Sequence, residues 1–271
     1  MSGLDAPDLE GVSAVVLQHP NYLGVLEDMR LVGAALEGDD KPMFIASVDL
    51  SSLSLLEPPG DYGADVAVGE AQSLGISMSL GGPVAGVFTA KEKYLRRMPG
   101  RIVGLGQDAE GKRAFTLAFQ TREQHIRRSR ATSNICTNQA LTALQATVTT
   151  ALLGATGREI AASLCAEKAH ALAERLTAVP GVALADPEAP FYREFALRMP
   201  DGVDAARVVA GMADRGVLAG IALPEAPGGG TALLIAVTEA RLWTDLDHYV
   251  TAFTEVMQQM SAVAPVGTRA E

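Results

Sequence analysis

The sequence predicts an α/β protein in which a mostly parallel, helix-covered sheet is followed by a smaller α+β unit. Three observations carry that expectation. From Ala14 to Ala90, compact apolar runs bounded by turn residues alternate with helical periodicity, the pattern of strands joined by crossovers. Around residue 150 the chain turns rich in Ala, Leu and Thr, with few breakers, as long helices require. Beyond Pro180 two further apolar strands bracket one amphipathic helix. A chain of 271 residues can bury one large core or two unequal ones.

In order, "AVVLQHP" from Ala14 reads as a buried strand closed by His19-Pro20-Asn21. Residues 25–36, "VLEDMRLVGAAL", have helical periodicity, and "PMFIASVDL" from Pro42 is a second strand. "GADVAVGE" from Gly63 and "GVFTA" from Gly86 supply the third and fourth. In "GRIVGLGQDAEGKRAFTLAF", Gly100 to Phe119, two apolar runs flank a polar turn, as in a β-hairpin. Helices are expected over 137–153 and 158–179, the second stopped by Pro180-Gly181. "FYREFALRMP", a helix over 204–215, "TALLIAVTE" and a helix over 243–263 complete the smaller unit. The division is expected near residue 150, giving units 1–150 and 151–271. With four strands in the first sheet, one edge is expected to lack a neighbour.

Composition narrows the function. Apolar residues make up 48% and charged residues 20%, as in ordinary globular proteins. No apolar run approaches the roughly 20 residues that span a bilayer, so no membrane role is expected. The opening "MSGLDAPDLEG" lacks a signal-peptide pattern, and two cysteines, Cys136 and Cys165, are too few for a disulfide scaffold. A cytoplasmic setting is expected. The net charge of −10 argues against nucleic acid as partner. Yet the segment from Lys91 to Arg130 holds eleven of the 22 basic residues and four of the 32 acidic ones, a local balance of +7. Such a patch suits a small anion or an acidic partner surface, and scattered surface ion pairs would look the same.

The candidate residues follow from that patch. Gly81 and Gly82, in "SLGGPVAG", permit backbone conformations that bring N–H groups to a phosphate, or they make a tight connection before a strand. Arg96, Arg97 and Arg101 surround a Pro-Gly turn and could grip a carboxylate or phosphate. In "TREQHIRRSRATSNICTNQAL", Arg122, His125, Arg127 and Arg128 precede Thr132, Ser133 and Asn134, which stand ahead of a helix. Polar caps with free N–H groups at a helix start form an anion site, or simply cap the helix. His19 ends a strand, where α/β sheets bind ligands. No metal-ligand spacing occurs, and none of the five lysines, Lys41, Lys91, Lys93, Lys112 and Lys168, follows a strand into a glycine loop. From the residues alone this is an anion-binding surface without an evident catalytic group.

The runs "PPGDYGADVAVGEAQSLG", "LGGPVAG", "MPGRIVG" and "QTREQHIRRSRATSNICTNQAL" closely resemble the P-protein of the glycine cleavage system, glycine dehydrogenase (decarboxylating), and within it subunit 1, the alpha half of the two-subunit form. The resemblance implies the aspartate-aminotransferase-like fold, type I, of pyridoxal-phosphate (PLP) dependent transferases: a partial large domain plus the smaller C-terminal α+β domain. It implies decarboxylation of glycine on PLP and aminomethyl transfer to the lipoyl arm of the H-protein. The beta subunit carries the PLP lysine, in a stretch like "DVxHLNLHKTF". Laid against it, "DVAVGEAQSL" from Asp65 puts Ser73 at the lysine and Gln72 at the neighbouring histidine. Gap-free counting puts Ala46 at the aspartate that supports the pyridine nitrogen.

This half therefore reads as a copy without catalytic residues of its own, PLP being bound covalently by subunit 2 (beta) in an alpha2-beta2 assembly. The resemblance implies that Gly81, Gly82, Thr132, Ser133 and Asn134 reach the cofactor across the interface, with the arginines and His125 at that seam. The family's alpha subunit carries a substantial portion ahead of the strand at Ala14, so a fragment, a misplaced start or a truncated gene product is expected. Two other functions stay open: a scaffold or docking module for lipoylated H-protein, and a self-sufficient PLP enzyme using Lys91 or Lys93.

Overall fold

The computed structural model describes residues 9–38, 41–120, 123–131 and 139–263, with side chains described up to residue 260. Strands β1 (Ala14–His19), β2 (Met43–Asp49), β3 (Val66–Glu70) and β4 (Gly86–Ala90) form the first sheet in sequence order. The β1–β2 and β2–β3 pairs are parallel and β3–β4 is antiparallel. All three parallel strands thus end at one carboxyl edge, where His19, Asp49 and Glu70 stand.

The 25–36 helix is shorter than its periodicity suggests. Helix α1 spans Met29–Ala35, because Asp28 caps it by accepting the Leu31 N–H at 2.9 Å, while the Val25 and Leu26 backbones pair with Phe191 and Pro190. Along β2, alternate residues Phe44, Ala46 and Val48 point into a core shared with Tyr62, Ala71, Ile76 and Ala146. The expectation that helices cover the sheet holds on that face. On the other, Val16 of β1 is 64% exposed, and among the described residues β1 pairs only with β2.

Strands β5 (Ile102–Gln107) and β6 (Arg113–Phe119) make the expected hairpin, closed where the Asp108 carboxylate accepts the N–H groups of Glu110 and Lys112. Registration puts Val103 opposite Leu117 and Leu105 opposite Phe115, and all four side chains are exposed. A short helix, α2 (Gln124–Arg127), follows.

The two long helices expected around residue 150 form one span, α3 (Ala140–Thr177), interrupted at Gly154, where φ is 62° and ψ −169°. Ahead of that break, Ala146 packs in the first core, while Leu141, Leu144, Val148 and Leu152 repeat at helical spacing on an exposed face. After it, Ala169, Leu172, Ala173 and Leu176 enter a second core.

That core lies between α3 and an antiparallel sheet of β7 (Ala183–Leu184), β8 (Glu194–Arg198), β9 (Ile221–Leu223) and β10 (Ala232–Ala236), ordered β7-β8-β10-β9. Helices α4 (Ala205–Ala213) and α5 (Trp243–Val263) close it. Phe195, Leu197, Val208, Met212, Leu233, Ile235, Phe253 and Val256 are essentially fully buried there. Each is worth roughly 1.5–3 kcal/mol of burial, and this unit holds the larger buried cluster. Lys168 braces it, its ammonium donating to the carbonyls of Glu239 and Arg241 ahead of α5.

Candidate functional site

A cavity of about 460 Å³ opens at the carboxyl edge of β1–β3, between that edge and the second unit. Open α/β sheets bind ligands at this edge because the strand ends leave backbone and side-chain groups converging there. Its wall includes Gln18, Asp49, Glu70, Gln72 and Ser73 from the first unit, and Tyr192, Arg193 and Glu194 from the second.

Asp49 ends β2 and is held from two sides. The Ser51 N–H and hydroxyl donate to Oδ1 at 2.9 Å each, and Arg193 Nη2 lies 2.9 Å from Oδ2. Both side chains of that ion pair are about four-fifths buried. Arg193 Nε is buried without a partner. Beside it, burial pushes the Tyr192 hydroxyl well above its ordinary pKa, and that hydroxyl stands 3.5 Å from Ser51 Oγ. Burial also raises the Glu194 carboxyl, which Arg193 partly offsets.

Ser73 lies on a 3-10 turn, Ala71–Leu74, directly after β3. Its Oγ is buried with no hydrogen-bond partner, and Gln72 turns its side-chain amide to the Ile76 carbonyl at 3.2 Å. The structure thus brings Ser73 and Gln72 to the cavity. Ala46 is fully buried within β2, between Leu17 and Ala67, and is not among the residues that line the cavity. The carboxylate at the strand end is Asp49. An aspartate closing an apolar strand was the available signal.

Lys91 and Lys93 stand elsewhere. With Lys41 they surround the buried Asp65, at 3.5, 3.2 and 3.2 Å respectively, and Lys91 also donates to the Gly63 carbonyl. Burial alone would raise the Asp65 carboxyl. The Phe44 N–H and the ammonium groups of Lys41 and Lys93 outweigh it and hold the group below the usual carboxylate range. Asp65 precedes β3, so these lysines sit at the amino edge, roughly 17 Å of strand from the cavity. No lysine lines the cavity.

The remaining sequence candidates do not converge on it. His19, at the end of β1, is buried and its Nδ1 accepts the Glu27 N–H at 3.2 Å; burial lowers its pKa, with Glu27 opposing. Gly81 belongs to an exposed loop where Ser79, Leu80 and Gly81 all have positive φ, and Gly82 adjoins it. Arg96, Arg97 and Arg101 lie on and after an exposed 3-10 helix. His125, Arg127 and Arg128 are exposed as well, His125 facing the Gln120 amide at 3.3 Å. Arg122, Thr132, Ser133, Asn134 and Cys136 lie outside the described residues. Cys165 meets Glu239, and burial with that carboxylate pushes its thiol up to about 11.

A carboxyl-edge cavity between a largely parallel sheet and a smaller antiparallel unit defines the fold-type I class of PLP-dependent enzymes. Alanine–glyoxylate aminotransferase from Nostoc sp. shares this fold, with a TM-score of 0.62 at 17% identity over 93% of this chain and 64% of that one. The chain itself belongs to the glycine cleavage system P-protein family, whose model matches residues 3–253. It is 48% identical over 252 residues to the probable glycine dehydrogenase (decarboxylating) subunit 1 of Chlorobium limicola, covering 93% of this chain and 56% of that protein. The corresponding protein of Prosthecochloris aestuarii is 47% identical over 250 residues, covering 92% and 55%. A crystal structure of glycine decarboxylase (P-protein) of the glycine cleavage system, in inhibitor-bound form, matches with a TM-score of 0.83 at 43% identity, covering 91% of this chain and 55% of that one. The chain spans about half the length of the relatives it matches.

PLP, the cofactor of this fold class, does not fit the residues present. Ser73 offers no amine for a Schiff base, and no lysine is among the residues that line the cavity.

Proposed function

We propose that this chain acts as the alpha-type subunit of a two-subunit glycine decarboxylase, supporting rather than performing the chemistry. The observation that carries this reading is Ser73, standing after β3 on a cavity wall without a lysine. The second subunit holds PLP covalently in an alpha2-beta2 assembly. When bound there, PLP supplies an electron sink for the decarboxylation of glycine. The aminomethyl group then passes to lipoylated H-protein.

This chain contributes surface. The exposed apolar pairs of the β5–β6 hairpin and the exposed stripe on α3 are of the kind that subunit contacts cover. Outward-facing Arg127 and Arg128, and the Gly81–Gly82 loop, support a role for the segment through Asn134 at the seam with the partner's cofactor. The two units divide close to residue 150, with the Gly154 break as the physical divide. A cytoplasmic location accords with the reading; no helix among the described residues is long and apolar enough to cross a membrane.

The test is reconstitution. Co-expressed with a subunit 2, the chain should co-purify and support glycine-dependent exchange of labelled bicarbonate, with borohydride fixing cofactor on subunit 2 alone. Cofactor fixed on Lys91 or Lys93 of this chain would replace this reading with the self-sufficient enzyme. Binding of lipoylated H-protein without subunit 2, and no exchange with it, would favour the docking module.

A further inference from the structure

We infer that the β5–β6 ribbon is the anchor by which this chain holds its partner subunit, and that it fits a protein face with an apolar centre and an acidic border. The inference rests on the two-subunit reading and deepens it, because it names the surface that meets subunit 2 and the chemistry of what it meets.

Residues directly opposite each other on antiparallel strands share a face. The pairs Val103–Leu117 and Leu105–Phe115 therefore form one apolar strip, which Gln107–Arg113 continues on the same face. Leu105 and Phe115 are 69% and 68% exposed, and the Arg113 guanidinium lies 5.7 Å from the centre of the Phe115 ring. The other face carries small residues, Gly104, Gly106, Ala114 and Thr116, so a partner can approach the ribbon closely from that side as well. Strands β5 and β6 form a sheet of their own, and two strands alone hold together weakly in water. An uncovered apolar strip on such a ribbon marks a contact surface. Charge selects what covers it. Arg101 and Lys112, just outside the strands, and Arg113, at the start of β6, have no carboxylate within ion-pair distance among the described residues. They border the strip at both ends, within a segment of local balance +7 on a chain of net charge −10. An acidic border is drawn to that segment and repelled by the rest of the chain. A second copy packed ribbon on ribbon about a two-fold axis would set these cations against one another. An anionic bilayer fits less well, because the tip that would enter it carries Asp108 and Glu110.

The test measures the affinity of the full chain for purified subunit 2 by titration calorimetry, beside Phe115→Ser, Arg113→Glu and a control, Leu218→Ser, at an exposed leucine of the second unit. Phe115→Ser and Arg113→Glu should each weaken binding at least about tenfold, the share of a truncated aromatic anchor or a reversed charge in an interface. Leu218→Ser should match the parent. Raising salt from about 0.05 to 0.5 M should weaken the parent more than Arg113→Glu. Ribbon amides, residues 102–119, should exchange with deuterium more slowly in the complex than in the free chain. Binding that neither ribbon variant changes overturns the inference and leaves the two-subunit reading standing. No binding by the parent removes that reading, and the inference with it. Flotation of the parent with phosphatidylserine vesicles, lost in Phe115→Ser, makes the ribbon a membrane contact and overturns the inference. Self-association of the parent, lost in the same variant, makes it an interface between copies and overturns it too. Where a ribbon variant melts earlier than the parent, amide exchange in the parent's complex decides, and unslowed exchange of the ribbon overturns the inference.

Discussion

The Asp49–Arg193 pair should couple the two units energetically, and a double-mutant cycle measures by how much. The perturbations are Asp49→Asn, Arg193→Gln and both together. Two unit charges about 3 Å apart attract by roughly 5 kcal/mol at an effective dielectric constant of 20, before desolvation is counted. With both side chains only about one-fifth exposed, desolvation cancels much of that. The residue should resemble a charge-assisted hydrogen bond, a coupling of about 2 kcal/mol. The internal control is Arg30–Glu57, 2.7 Å apart but with Arg30 76% exposed, which should couple by less than about 0.5 kcal/mol. Urea unfolding, followed by far-UV circular dichroism and by the fluorescence of Trp243, the single tryptophan, supplies the free energies. Trp243 starts α5 in the second unit, so the two probes also show whether the units unfold together. A coupling below about 0.5 kcal/mol would refute the reasoning, because the pair would then behave as a solvated surface contact.

Asp65→Asn should destabilise the chain by about 2 kcal/mol at neutral pH, since three ammonium groups lose their shared counter-charge. The folded pKa of Asp65 is depressed, so its contribution is present above the unfolded value and lost as pH falls through the folded one. Melts of the two chains should therefore converge in acid, and a constant gap would exclude the ion cluster as the cause. Glu194 has the opposite sign: its folded pKa is raised, so stability is greatest below the unfolded value and lost as pH rises through the folded one. Glu194→Gln should accordingly gain stability near neutrality and match the parent in acid, read from the same melts. Cys165, with its thiol near 11, should react with iodoacetamide at pH 8 at least about a hundredfold slower than a free thiol, quantified by peptide mass. Labelling at the free-thiol rate would show the site to be open.

Legibility followed the range of the interaction that fixes each feature. The first four strands and the hairpin were readable because local apolar runs and a polar turn dictate them, and Asp108 closes that turn within four residues. The start of α1 was misplaced because Val25 and Leu26 pair with residues 190–191, a tertiary override of periodicity. The open face of β1 was likewise invisible, since an apolar run does not say whether anything packs against it. At the cavity, Ser73 and Gln72 were found by motif. Asp49 and Arg193 were not singled out, because their pairing exists only where residues 144 positions apart meet. Lys91 and Lys93 looked available for chemistry until Asp65 was seen to engage them.

The break in α3 gives the cleft an unusual kind of dependence. Gly154 is not among the residues that line the cavity, and a β-carbon built on it would meet nothing within 4 Å. Its backbone, with φ at 62° and ψ at −169°, nevertheless lies in a region open essentially to glycine alone. The helix before it is anchored in one core and the helix after it in the other. The separation of Asp49 from Arg193 is thus written partly in two torsion angles of a residue with no side chain. Spacing between the walls can change by substitution at a site where no contact would register the change.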